Sequence, residues 1–301
     1  MVERVIINDV GPRDGLQNDP ADVTPEDRAL LINRLIDAGV SAVEVASFVS
    51  PRAVPKMAGA DRVVAGIDLA RADCSALVPN HKGYELARDA GIRSVAVVLS
   101  ATETMNLKNI NMDLETTVRV CEEVVGRAVG DGIRARAYVS VAVECPYEGL
   151  VSEERVESLA ARMFDAGAAE VIVADTIGAA NPAQVKSLFA RLIGTFGADR
   201  LSAHFHDTRA LALANAWQAL ECGIRKFDSS IGGLGGCPFA PGAAGNLATE
   251  DLASMLEQAG FHTGIDMGRL LEVVALARKL VGHDLGGRSL AWQLGRKTEA
   301  A

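Results

Sequence analysis

The sequence predicts an α/β protein, a single (β/α)8 TIM barrel, from three observations. Short apolar, β-branched runs alternate with longer helical patterns eight times, with short linkers between them. The chain of 301 residues is long enough to close such a barrel and leave extra helices at its C-terminal end. Aromatic residues make up only 4%, and the 49% hydrophobic content is mostly Ala, Val, Leu and Ile, which suits repeated strand-on-helix packing.

The elements follow in order. Residues 5–7 form the first strand and run into a turn at 11–15. Residues 25–38 read as a helix, with Thr24 as N-cap, Asp27 at the capping-box position and Gly39 as terminator. Strands follow at 42–45, 75–78, 95–99 and 135–141, separated by helical patterns near 59–66, 82–90 and 113–129. The second half repeats the rhythm, with helices at 153–166, 182–193 and 210–221 and strands at 170–174, 201–205 and 226–229. Helical patterns at 248–258 and 267–281 follow the last strand and are expected to pack outside the barrel, so residues 1–301 form one domain with C-terminal helices over about 248–285. A dinucleotide-binding fold would need G-x-G-x-x-G after the first strand. The turn there is Gly11-Pro12-Arg13-Asp14-Gly15.

Composition excludes several functions. A formal charge of −9 without a basic patch argues against nucleic acid as a partner. No apolar run reaches the roughly 18 residues of a membrane span. The first residues lack signal-peptide organisation, and five scattered cysteines make neither a disulfide framework nor a zinc pattern. A reducing cytoplasm is the expected compartment.

Barrel active sites form at the C-terminal strand ends, and polar residues gather there on six of the eight strands. His204 and His206, two apart on a strand, project to the same side. The plain alternative is a pair of hydrogen-bonded core histidines. With Asp14 and Asn246 they make two imidazoles, a carboxylate and an amide oxygen, a set that suits Mg²⁺ or Mn²⁺ better than a closed structural zinc. Asp14 could instead form a local turn, and Arg13 could be a solvated charge. Side by side, they suit a metal ligand and an oxyanion partner. Cys237 lies among glycines at 232, 233, 235, 236, 242 and 245, a pattern expected of a lid; it could be a chance small residue there, but a proton-donor thiol is the favoured reading. Glu44 and Asp175 are further candidate acids, and Arg13, Ser47, Tyr138, Thr176 and Arg209 are the candidate substrate contacts.

Val10 to Asn18, the segment Ala46-Ser47-Phe48-Val49-Ser50-Pro51, Lys108 to Asn111, Cys145 to Gly149, Asp175 to Gly178 and the stretch Asp228 to Asp251 together resemble the hydroxymethylglutaryl-CoA lyase family. The resemblance spans residues 5 to about 290. It implies a divalent metal, Mg²⁺ or Mn²⁺, on Asp14, His204, His206 and Asn246, with Arg13 on the substrate carbonyl oxygen and Cys237 on the lid. It also implies a small acyl-CoA substrate and retro-Claisen cleavage to acetyl-CoA and acetoacetate. A homo-oligomer, dimer or tetramer, is expected. Several positions depart from the family pattern: Arg209-Ala210-Leu211 follows His206-Asp207-Thr208, Glu144 precedes Cys145, Ala174 precedes Asp175, and residues 100–107 match only loosely. Arg209 and Glu144 could pair with each other, or Arg209 could hold an extra carboxylate. The competing readings are the same chemistry on a related branched 3-hydroxyacyl-CoA, a 2-oxo acid aldolase or Claisen condensing enzyme, and a non-enzymatic scaffold.

Overall fold

Local chemistry sets the helix boundaries. Thr24 Oγ1 accepts from the Asp27 amide at 3.1 Å and donates to the Asp27 carboxylate at 2.8 Å, so the first helix begins at Pro25 and runs to Asp37. Asn80, Asp113, Ser152 and Asn181 cap later helices in the same way. Strand runs rich in Val, Ile and Ala extend between them.

The computed structural model describes residues 2–236 and 245–299. Eight strands close a barrel: Ile6–Asp9, Ala42–Ser47, Asp73–Leu77, Ser94–Ser100, Arg134–Ser140, Glu170–Asp175, Leu201–Phe205 and Lys226–Ser229. Each pairs in parallel with its sequence neighbours, and the first pairs with the last, Asn8 opposite Asp228. The predicted fold class is therefore what forms. The main apolar cluster lies between strands and helices and includes Leu31, Val97, Val173 and Leu252. Ala96, Tyr138 and Ile172 make a small cluster of their own.

The details differ from expectation in five places. Thr249–Gln258 packs against the first strand, the Ala212–Glu221 helix and Met267–Val281. It thus takes the eighth helical position instead of lying beyond the barrel. Met267–Val281 packs on the first helix, and a further helix, Leu290–Glu299, follows. Glu103–Ile110 is helical although it has no apolar stripe; the Asn106 amide fastens it by donating to the carbonyls of Ser100 and Thr102 at 2.8 and 2.7 Å. The seventh helix starts at Ala212 because Ala210 adopts a φ of 58° and Asp207 accepts from the Ala212 amide. Glu144–Cys145 and Gly149–Leu150 form a small antiparallel ladder at the rim. Among the described residues, no helix is long and apolar enough to cross a membrane.

Candidate active site

The first strand delivers two charged residues at once. After Asp9 the chain winds into a tight turn, Gly11–Gly15, in which the amides of Arg13, Asp14 and Gly15 all bond to the Val10 carbonyl. Close approach requires the glycines: a Cβ on Gly11 would meet Asp9 Oδ1 at 2.9 Å, and one on Gly15 would meet Leu234 Cβ at 2.8 Å. Arg13 is buried. Its Nε donates to Glu44 Oε2 at 2.5 Å, its Nη1 donates to Asp14 Oδ1 at 2.8 Å, and its Nη2 also reaches Glu44. Two of the five guanidinium N–H bonds stay available.

The seventh strand contributes His204 and His206, both buried. Asn246 reaches them from the returning chain. The segment 245–247 runs antiparallel to the strand end, with Leu247 N bonding to Phe205 O at 3.0 Å and Asp207 N to Gly245 O at 3.0 Å, so Asn246 bridges to His206. One ligand atom from each of Asp14, His204 and His206 lies within 4.8 Å of the other two. Asn246 Nδ2 donates to Asp14 Oδ2 at 2.9 Å and to the Leu234 carbonyl at 3.1 Å. Its Oδ1 is buried and has no hydrogen-bond partner among the described residues. A buried amide oxygen without a donor is costly, and a cation is the partner that two imidazoles and a carboxylate beside it would share. The residues fit a divalent ion.

Electrostatics sharpen the contrast among the acids. Burial alone would raise the Asp14 carboxyl, but Arg13, then His204 and His206, hold it down at about 2. Burial pushes Glu44 up despite the adjacent Arg13 guanidinium. Burial also raises Asp175, whose two oxygens accept from the amides of Ala179 and Ala180 at 2.8 and 3.0 Å. Its carboxylate therefore shapes the turn after the sixth strand.

A cavity of about 550 Å³ opens over this group. Arg13, Asp14, Ser47, Tyr138, Thr176, His204 and His206 line it, whereas Glu44, Asp175 and Arg209 do not. Ser47 Oγ is buried without a partner among the described residues, and Thr176 Oγ1 accepts from the Val141 amide at 2.9 Å. The expected contact between Arg209 and substrate has no support in this placement. Its guanidinium donates to the carbonyls of Gly178 and Ala179 and lies 3.9 Å from Glu144, so the two departures from the family pattern face each other. Cys237 lies outside the described residues; Gly236, just before it, lines the cavity and accepts from Asn18 Nδ2 at 3.2 Å.

Sequence reasoning missed Asp228 and Asn8, which are buried on neighbouring strands below the two histidines. The available signal was a polar side chain within a strand, at a position that is buried in the barrel.

Comparison with known proteins agrees with the geometry. The HMGL-like family matches residues 4–277. The hydroxymethylglutaryl-CoA lyase of Bacillus subtilis is 43% identical over 96% of this chain and 97% of its own. The (R)-citramalyl-CoA lyase of Chloroflexus aurantiacus is 42% identical over 90% of this chain and 89% of its own. A solved HMG-CoA lyase from Acinetobacter baumannii, in complex with coenzyme A and 3-methylmalate, superposes with a TM-score of 0.91 at 38% identity, covering 95% of this chain and 94% of that one. With the barrel, the residues at its mouth and near full-length likeness in agreement, the chain belongs to the HMGL-like family, within its hydroxymethylglutaryl-CoA lyases.

Proposed function

We propose that this chain is a hydroxymethylglutaryl-CoA lyase that cleaves 3-hydroxy-3-methylglutaryl-CoA to acetyl-CoA and acetoacetate. The observation that carries the reading is the convergence of Asp14, His204 and His206 at one point, with Arg13 and the Asn246 side chain both bonded to Asp14. These four residues would hold Mg²⁺ or Mn²⁺. Such an ion supplies Lewis acidity that lowers the pKa of the substrate's tertiary hydroxyl.

The chain's own groups account for the rest. The hydroxyl proton passes to a carboxylate of the site, Asp14, which faces the cavity, or Glu44, which lies behind Arg13. As the carbon–carbon bond breaks, its electron pair moves toward the thioester carbonyl, and the two available Arg13 N–H bonds stabilise the oxygen where charge gathers. The Cys237 thiol gives its proton to the acetyl carbon, and the glycine-rich segment around it closes off water. Ser47 and Thr176 orient the acyl group, while Glu44 fixes Arg13 and Asp175 fixes the turn that carries Thr176. Arg209 acts one layer out, with Glu144. The enzyme works in the cytoplasm as a homodimer or homotetramer.

The test is a panel of acyl-CoA substrates, including (R)-citramalyl-CoA, with acetyl-CoA and the keto product measured separately. Acetoacetate should appear from 3-hydroxy-3-methylglutaryl-CoA, disappear with a chelator and return with Mg²⁺ or Mn²⁺. Cleavage confined to another acyl-CoA would overturn the substrate assignment, and full activity in chelator would overturn the metal.

A further inference from the structure

One buried carboxylate in the barrel has no part in the chemistry above. Asp228 is 3% exposed and sits on the last strand, in register with Asn8 on one side and His204 on the other. Its Oδ1 accepts from Asn8 Nδ2 at 2.7 Å. Its Oδ2 accepts from the Tyr138 hydroxyl at 2.8 Å and lies 3.1 Å from His204 Nδ1. Tyr138 crosses from the fifth strand and also packs edge-on against the His204 ring, with centroids 6.1 Å apart at 86°.

We infer that Asn8, Tyr138 and Asp228 form a positioning group that orients His204 toward the metal. The argument follows from donor and acceptor capacity. An ionised carboxylate only accepts, so His204 Nδ1 must donate to it, and the lone pair of the neutral ring then lies on Nε2. A metal-binding imidazole is commonly fixed in this way by its second nitrogen. Asn8 and Tyr138 keep the carboxylate from rotating, and the Tyr138 edge stops the ring from turning away. Tyr138 thus serves chiefly as a strut, its hydroxyl already committed to Asp228. This inference rests on His204 being a metal ligand.

The experiment measures Mn²⁺ binding to the full chain by calorimetry, and the imidazole-nitrogen coupling of bound Mn²⁺ by pulsed EPR, without substrate. Asp228→Asn should weaken Mn²⁺ about 10- to 100-fold and alter one nitrogen coupling. Tyr138→Phe, which leaves every charge in place, should weaken it about fivefold, the effect of one net hydrogen bond. His204→Ala should abolish that nitrogen coupling. Unchanged affinity and coupling in a folded Asp228→Asn protein would overturn the inference, provided His204→Ala loses the coupling. If Asp228→Asn does not fold, Tyr138→Phe decides, and unchanged values there overturn it. No effect of His204→Ala would instead overturn the ligand assignment, and this inference with it.

Discussion

The two ends of the barrel use similar side chains to opposite purposes. At the N-terminal end, Glu170 is buried and both its oxygens are occupied. Oε1 accepts from Ser202 Oγ at 2.9 Å and lies 3.8 Å from Arg136, while Oε2 accepts from Lys226 Nζ at 2.9 Å. Toward the C-terminal mouth, Asn246 Oδ1 and Ser47 Oγ are also buried but have no hydrogen-bond partner among the described residues. At the base the filled Glu170 carboxylate ties strands together, whereas at the mouth Asn246 and Ser47 keep acceptors that no described group fills. Burial alone therefore does not separate the Glu170 carboxylate from the Asn246 and Ser47 oxygens; their hydrogen-bond partners do.

Substitutions at each end test this division. The largest effect belongs to the mouth: Cys237→Ala should lower turnover by about 10²- to 10⁴-fold, the range for a lost proton donor, with Mn²⁺ titration unaltered. Normal turnover would remove the thiol from the mechanism. At the base, Glu170→Ala strands Arg136 in the interior and should cost about 3–5 kcal/mol in urea unfolding, with Mn²⁺ affinity unchanged. Lost metal binding at undiminished stability would break the comparison. The smallest effect is expected at the rim. Arg209→Tyr removes donors to Gly178 and Ala179 and should cost about 1 kcal/mol, with relative rates across acyl-CoAs held within about threefold. A larger switch in preference would return Arg209 to the substrate.

Much of the site was legible because barrel chemistry gathers at strand ends. His204 and His206 share a face by strand periodicity, and Arg13 and Asp14 follow directly on a strand. Hydrogen-bond allegiance was not legible. Asp175 is a carboxylate at a strand end, as Asp14 is, yet it turns onto two backbone amides while Asp14 faces the cavity. Arg209 could have met a ligand or Glu144, and only the approach of the two rim segments decides between them. Helix Glu103–Ile110 escaped the sequence reading because Asn106 fastens it, without an apolar stripe.

The sequence by itself determined the alternation of strands and helices, the barrel class and the residue types gathered at its mouth, because periodicity and strand ends are local properties. Tertiary structure alone decided which acceptors are filled and which stand empty. Asn246 lies beside His206 because the chain returns along the seventh strand, and Asp228 meets His204 because adjacent strands share a register. Such pairings join residues far apart in the chain, and closure of the barrel sets the distances between them.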